Sequence, residues 1–347
     1  MNRRLVLFII VMTILLALPR FAHHTPDSAH YVALAKFFRG EVTRDSLRAP
    51  FVYRVLLPLL ASYGPASALS VRFATINVMC TIMAYIVFFY YLEALFGDST
   101  VASLGIFLLV FSFPTINYAS GVLTDPGGFF FFVSATYALS KKRFLAFSAL
   151  ATMGVLVREA NLMTVLMLVV YSVVTLFRTQ IVSTKNLFLL AFGIPPLLSY
   201  LLIRLLLSEF EYSWQPSVAI LLNNVTRPIS WATVLPTILP LAVISVAGLA
   251  GRRRQDRPKV AHKLSDHARD VLLSTTIAAG SLAIHSILSA FMSGRFLWSL
   301  YTGLIPFSLI PFSQTSIYTE RLTPLLIRIF RLDVAQHPVV ADTRCAR

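Results

Sequence analysis

The sequence predicts an all-α, polytopic transmembrane protein with about ten helical spans. Of its 347 residues, 57% are hydrophobic and only 13% are charged, whereas roughly a quarter of the residues in soluble domains are charged. The apolar residues occur in runs of roughly 15 to 25, and about 20 apolar residues in a helix cross the hydrocarbon core of a bilayer. This composition excludes a soluble globular enzyme.

The apolar runs and the polar joints between them predict how the chain is organised. Residues 1–312 form one predicted transmembrane domain, interrupted by a first outer loop at 21–70 and a second at 208–231, and a basic tail follows at 313–347. The predicted spans are 5–20, 71–92, 101–117, 124–140, 144–158, 160–177, 186–207, 232–250, 270–292 and 296–312.

Basic residues predict the orientation of these spans. The 30 Lys and Arg residues exceed the 15 Asp and Glu residues, which gives a net charge of +15. Their clusters recur at alternate joints, as at Lys141–Arg143 and Arg252–Arg269. Basic residues in short loops stay on the cytoplasmic side, so we expect both termini inside and both long loops outside. Because the charge accompanies membrane-length runs, membrane lipids are expected around the protein and no nucleic acid.

The first outer loop contains a predicted amphipathic helix. Apolar residues recur at helical spacing from Tyr31 to Phe38, and Gly40 follows as a residue that ends helices. Such a helix lies along a membrane interface. Asp27 precedes it, and two interpretations stay open: the carboxylate caps the helix by accepting backbone N–H bonds, or it acts as a general base on an acceptor hydroxyl.

Two arginines at the outer side are candidate phosphate ligands. Arg54 ends the stretch Pro50-Phe-x-Tyr-Arg54, and Arg295 lies between the last two predicted spans. A guanidinium can bind phosphate through two parallel hydrogen bonds. Alternatively, Arg54 extends to the lipid headgroups and Arg295 is a basic residue that anchors a span end.

Three further charged residues lie at predicted span ends. Asp125 opens the fourth span ahead of Pro-Gly-Gly, where a broken helix would expose backbone donors, and Arg158 and Glu159 separate two apolar runs. Ionisable side chains near a membrane cost a few kcal/mol unless they are paired or line a cavity, so they are candidates for function. Alternatively, Arg158 and Glu159 mark only a turn.

No sequence motif identifies a cofactor or a metal site. The two cysteines are Cys80 and Cys345, and neither belongs to a metal-binding spacing. His23, His24 and His30 surround Asp27. They leave a divalent cation open as an alternative to plain solvation.

The stretch Pro26-Asp27-Ser-x-x-Tyr31-x-x-Leu-Ala35, continuing through Gly40 to Pro50-Phe-x-Tyr-Arg54 and followed by many spans, resembles the GT-C superfamily. These integral membrane glycosyltransferases use polyprenyl-phosphate-linked sugar donors. The resemblance covers about the first 160 residues in motif terms and implies that Asp27 is the catalytic base. It further implies a bacterial inner (plasma) membrane location, with the polar residues at positions 125, 158 and 159 about where bacterial members place theirs.

The resulting hypothesis is an inverting hexosyl- or pentosyltransferase acting on the outer face. The partners would be a polyprenyl-phosphate-sugar donor and a glycan or lipid acceptor. Asp27 would take the acceptor proton, and the residues predicted to bind the substrates are Tyr31, Arg54, Asp125, Arg158, Glu159 and Arg295. The alternative is a transporter or flippase of a lipid-linked saccharide, which would need charged or broken helices at mid-membrane.

Overall fold

The computed structural model describes residues 1–179, 188–210, 215–253, 264–289, 292–315, 317–330 and 332, and these residues form helices and turns without a strand. In chain order the α-helices of the described residues are α1 (Arg3–Ala17), α2 (Ser28–Phe38), α3 (Leu56–Ser62), α4 (Leu69–Phe96), α5 (Ser99–Val110), α6 (Phe113–Tyr118), α7 (Asp125–Ser140), α8 (Phe144–Val157), α9 (Met163–Thr179), α10 (Ile194–Leu206), α11 (Val218–Thr226), α12 (Pro228–Arg253), α13 (Asp266–Leu288), α14 (Tyr301–Phe312) and α15 (Thr323–Phe330). The all-helical class predicted from composition is confirmed.

Five of these helical segments are long and apolar enough to cross a membrane. They are Ala66–Phe96, Glu159–Thr179, Phe188–Leu206, Pro228–Ala250 and Asp266–Leu288. A sixth is obtained only if Gly294–Phe312 and Ile317–Phe330, which meet at 95°, count as one span.

The predicted count of ten spans is therefore not confirmed. α1, α5, α7 and α8 contain 15, 12, 16 and 14 residues. At a rise of 1.5 Å per residue such helices extend only about 18 to 24 Å, which is less than the roughly 30 Å of the hydrocarbon core. α5 ends at Val110, inside the apolar run predicted to continue to residue 117, whereas α7 and α8 end where Lys141 and Arg158 follow.

The first outer loop folds into α2, α3 and short 3₁₀ turns. α2 begins at Ser28 and ends at Phe38, and Gly40 follows with a φ of 72°, a left-handed conformation that favours glycine. The apolar side of α2 is buried through Tyr31, Leu34 and Ala35, and it packs against the protein. The predicted position of this helix along a membrane interface is therefore not confirmed.

The hydrophobic core is centred on α4, which packs against α1, α3, α5 and α7, while α7 packs against α8. Buried aromatic side chains from α4 and α7, among them Phe88, Phe89, Phe129 and Phe132, fill this region. A second layer pairs α9 with α13 and α12 with α14. This packing brings the start of α7, the end of α8 and the 3₁₀ segment Gly294–Leu300 to one region beside the first loop.

The predicted tail begins inside the packed structure. Leu326 and Phe330 of α15 are buried, and the Phe330 ring lies 5.5 Å from the rings of Phe8 and Phe107. The exposed side chains of α15 include Leu325 and Ile329. The prediction for the rest of the tail, from residue 333 onward, falls outside the described residues.

Candidate functional site

Three arginine–acid pairs form one cluster where the first loop meets α7, α8 and the 3₁₀ segment Gly294–Leu300. We call it the arginine cluster, and it contains the pairs Arg54–Glu159, Arg158–Asp125 and Arg295–Asp27. Together with Tyr31, which bonds to Arg54, these are all the residues that the sequence marked as catalytic or substrate-binding. The structure brings them together from segments far apart in the chain.

Arg54 is held by two partners. Its Nε and Nη2 donate to the Oε2 and Oε1 atoms of Glu159 at 2.8 and 2.7 Å, and its Nη1 donates to the Tyr31 hydroxyl. Burial is the largest single influence and lowers the pKa of Arg54, but the charges and hydrogen bonds of Glu159 and Tyr31 together outweigh it and hold that pKa above its ordinary value. Glu159 and Tyr31 engage three of the five N–H donors of Arg54, which leaves one on Nη1 and one on Nη2. The phosphate clamp at Arg54 stays a prediction.

Tyr31 joins the first loop to the start of α7. The side chain is fully buried, and its hydroxyl also accepts a hydrogen bond from Thr124 Oγ1 at 3.2 Å. Thr124 directly precedes Asp125, the first residue of α7. Tyr31 therefore positions Arg54 and the α7 N-terminus relative to each other, rather than facing an open site.

Arg158 and Asp125 form the deepest pair. Nη1 of Arg158 donates to Oδ1 of Asp125, and the two side chains are only 8% and 3% exposed. Close packing surrounds the pair: a Cβ at Gly128 would lie 3.4 Å from Cδ of Arg158, and one at Gly127 would lie 2.7 Å from Leu57. The sequence suggested that these glycines expose backbone donors. In the structure they allow neighbouring side chains to pack closely against α7. Pairing offsets the high cost of burying two charges.

Asp27 pairs with Arg295 across the cluster. Nη2 of Arg295 lies 2.6 Å from Oδ2 of Asp27, whose side chain is 18% exposed. Asp27 occupies the N-cap position of α2, yet its side chain accepts no capping hydrogen bond from that helix. Of the two interpretations left open by the sequence, the capping role is thus not observed. Asp27 is more accessible than Asp125.

The ring of Phe296 lies beside two of the arginines. The guanidinium carbons of Arg158 and Arg295 lie 4.9 and 5.0 Å from its centroid. Stacking on an aromatic face stabilises a guanidinium and leaves its in-plane N–H edge directed elsewhere. Two cationic groups are thereby held next to each other around a single ring.

A small cavity of about 20 Å³ borders this part of the cluster. Its lining includes Asp125, Arg158, Asn161, Arg295, Phe296 and Trp298. Asn161 and Trp298 are buried, and their Oδ1 and Nε1 atoms have no hydrogen-bond partner among the described residues. A buried polar atom without a partner costs about 1 to 3 kcal/mol, so a ligand that satisfies both atoms would gain affinity.

Asn161 and Trp298 are not among the site residues predicted from the sequence. Asn161 comes only two residues after Glu159, and Trp298 lies three residues after Arg295, so proximity to those charged residues was a signal. Trp298 stacks on Phe129 with 4.8 Å between ring centroids, and a Cβ at Gly154 would lie 3.0 Å from Cγ of Asn161. Both side chains are therefore held in place by neighbours that only the fold reveals.

The cluster combines three guanidinium groups with three carboxylates, so its formal charges balance. Arg158 and Arg295 border the cavity and can bind an oxyanion there, whereas Asp27 and Asp125 can accept hydrogen bonds from hydroxyl groups. Within the described residues, no group of three or more His, Cys, Asp or Glu side chains is placed to hold a metal ion.

Comparison of the chain with protein-family models, with curated proteins and with solved structures returns no match. The resemblance to membrane glycosyltransferases stays a prediction from the sequence.

Proposed function

We propose that the protein is a membrane glycosyltransferase that transfers a hexosyl or pentosyl group from a polyprenyl-phosphate-linked donor to a glycan or lipid acceptor. In this proposal it resides in the bacterial inner membrane with both termini in the cytoplasm, and the arginine cluster faces the extracytoplasmic side. The observation that carries the proposal is the placement of Arg158 and Arg295 at one cavity, with the accessible carboxylate of Asp27 paired to Arg295.

The phosphate of the donor would bind at Arg158 and Arg295. Both border the cavity, and Arg158 donates to Asp125 through only one of its nitrogens. The phosphate gains negative charge as its bond to the sugar breaks, and fixed cationic donors in a buried site stabilise that charge in the transition state. Arg54, occupied by Glu159 and Tyr31, would instead keep the cluster in position.

Asp27 would act as the general base in a single displacement. The acceptor hydroxyl oxygen forms a bond to the anomeric carbon while its proton passes to Asp27, and the bond between that carbon and the phosphate oxygen breaks. The electron pair of the broken bond leaves with the polyprenyl phosphate. Asp27 suits this role better than Asp125, because its side chain is 18% exposed and that of Asp125 only 3%.

Asn161 and Trp298 would bind the transferred sugar. Hydroxyl groups both donate and accept hydrogen bonds, so a sugar hydroxyl that enters the cavity can donate to the Asn161 Oδ1 atom or accept from the Trp298 Nε1 atom. Asp125, which lines the same cavity, adds a further acceptor. A divalent cation at the site stays a hypothesis that metal removal with a chelator would test.

The decisive experiment measures transfer from polyprenyl-phosphate hexoses and pentoses by purified Asp27→Asn protein. We expect the rate to fall about 10²- to 10⁴-fold, the usual contribution of a general base. Asp45→Asn is the matched control, because Asp45 is an exposed acid in the same loop. Full transfer by Asp27→Asn at normal expression would refute the base assignment.

A flippase of a lipid-linked saccharide is the second candidate. The 95° bend between Gly294–Phe312 and Ile317–Phe330 favours it, since broken helices are typical of transporter sites. Liposomes containing the protein would distinguish the two: movement of a labelled lipid-linked sugar between leaflets, without a new glycosidic bond, supports the flippase.

A further inference from the structure

A wide apolar groove lies between α6 and α12. Its volume is about 460 Å³, which is in the range of pockets that hold small molecules. Side chains of α5, α6 and the turn between them form one wall, and Pro236, Pro240 and Leu241 of α12 form the other. Leu241 and Tyr301 are buried inside it, whereas Ile116 is exposed at its rim. We call it the α12 groove.

The two polar side chains that line the α12 groove already have partners. The Tyr301 hydroxyl donates to the backbone carbonyl oxygen of Thr237 at 2.6 Å, and the Ser112 hydroxyl oxygen lies 3.0 Å from that of Thr115. A polar ligand would give up its hydrogen bonds to water without gaining new ones from these groups. The groove therefore favours a hydrocarbon, whose burial is favourable in itself.

One end of the α12 groove adjoins the arginine cluster. The 3₁₀ segment Gly294–Leu300 contains Arg295 and packs against both α6 and α12. The backbone N–H of Gly294 donates to Oγ1 of Thr233 on α12 at 3.1 Å. Tyr301, which lines the groove, directly follows this segment. The segment therefore separates the groove from the cluster and contacts both.

The α12 groove runs away from Arg295 along α12. Pro236 and Leu241 come three and eight residues after Thr233, so they lie about 5 and 12 Å farther along the axis at a rise of 1.5 Å per residue. Leu241 is near the middle of Pro228–Ala250, which is long and apolar enough to cross a membrane. A cationic group at one end and an apolar groove leading toward mid-membrane match a lipid with an anionic group at one end of its chain.

We propose that the α12 groove holds the first two isoprene units of the donor lipid while the phosphate of that lipid is bound at Arg295. Each unit advances the chain by four carbon–carbon bonds, or about 5 Å at about 1.5 Å per bond before the bends are counted in. Two units therefore extend from the level of Thr233 to that of Leu241. Later units lie in the bilayer. The inference rests on the proposed function in one respect only, namely that the lipid phosphate belongs to the sugar donor.

Binding of short prenyl phosphates to the purified full-length protein in detergent tests the groove without catalysis. Isopentenyl, geranyl and farnesyl phosphates, with one, two and three isoprene units, are titrated by calorimetry and corrected for their partition into protein-free micelles. The second unit should raise the affinity about tenfold or more, because it enters the groove, and the third by less than about threefold, because it stays outside. Geraniol, which lacks the phosphate, should bind about tenfold or more weakly than geranyl phosphate.

Two variants of Ile116 test whether the chain lies in the groove. Ile116→Trp fills the space and Ile116→Gln places a polar group against the chain, so each should reduce the gain from the second unit to about twofold. Ile277→Trp is the matched control and should keep the full gain. Ile277 of α13 is 41% exposed, close to the 38% of Ile116, and does not line the groove.

A bilayer phospholipid is the competing occupant. Dioctanoyl phosphatidic acid should displace geranyl phosphate about tenfold less effectively than farnesyl phosphate does, because its polar glycerol esters would occupy the apolar start of the groove. Equal displacement would assign the groove to bilayer phospholipid and overturn the proposal. Equal gains from the second and third units, or a full gain in both Ile116 variants, would overturn it as well.

Transfer assays distinguish failure of this inference from failure of the proposed function. If Asp27→Asn abolishes transfer but the second isoprene unit brings no gain in affinity, the glycosyltransferase proposal stands and the assignment of the groove is wrong. If the gain is present and no transfer occurs from any polyprenyl-phosphate sugar, the groove binds a prenyl chain and the glycosyltransferase proposal is wrong.

Discussion

The helix pair α9–α13 has an arginine–acid interaction at each end, and the two ends differ in how much charge they gather. At one end Arg178 of α9 donates to Asp270 of α13 at 2.8 Å, and Thr175 also donates to Asp270. At the other end Glu159, just before α9, belongs to the arginine cluster. The ends lie about 25 Å apart, given the helical rise of 1.5 Å per residue.

One arginine is enough to connect two helices, as the Arg178–Asp270 pair shows. The arginine cluster instead places three guanidinium groups close together, two of them about 5 Å from the same Phe296 ring. Each of these arginines pairs with an acid, so the cluster gathers three ion pairs where the other end has one. Ionisable groups gathered in a buried site are candidates for function, which favours the cluster end over the other.

The two ends should differ most in the stability that is lost when Arg158 at one end and Arg178 at the other are replaced by methionine. Arg158→Met leaves the Asp125 carboxylate buried without its partner, which should lower the free energy of unfolding by about 3 to 5 kcal/mol. Arg178→Met should cost about 1 kcal/mol, because that arginine is 36% exposed and Asp270 keeps its bond from Thr175. Thermal unfolding in detergent measures both, and equal losses would contradict the difference in burial.

Packing around the cavity should respond to an added methyl group. In Gly154→Ala the new Cβ would lie 3.0 Å from Asn161 and Phe131, so we expect a loss of about 1 to 3 kcal/mol. Gly280→Ala on α13 is the matched variant, since no neighbouring atom lies within 4 Å of the position that its Cβ would take. It should stabilise the helix by up to about 1 kcal/mol. Melting temperatures that shift in the same direction would show that the cluster end is not tightly packed.

The smallest difference concerns one hydroxyl group at each end. Tyr31→Phe removes the acceptor of Arg54 and Thr124, and Tyr171→Phe removes the hydroxyl that bonds to His267. Each should cost about 1 kcal/mol of stability. Only Tyr31→Phe should also lower the transfer rate, because Tyr31 positions the arginine cluster. A rate loss in Tyr171→Phe of similar size would mean that transfer follows stability alone.

Much of the candidate site could be recognised before the fold was known, because a charged side chain in an apolar chain is conspicuous. Arg158 and Glu159 stand between two apolar runs, and Asp27 follows the first apolar run at the start of a helix pattern. Their partners could not be predicted. Arg54 and Glu159 are 105 residues apart, and nothing local specifies that their side chains meet.

The amino-acid sequence by itself determined the all-helical, membrane-type class and the helix after Asp27, because composition and hydrophobic periodicity are local properties of the chain. Only the tertiary structure decided how many helices are long enough to cross a membrane, since an end such as that of α5 at Val110 lies inside an apolar run and has no polar signature. It also decided that the carboxylate of Asp27 faces Arg295, and that Asn161 and Trp298 present unpartnered polar atoms beside a cavity. Those relations depend on which surfaces pack together, and packing joins residues that the sequence separates.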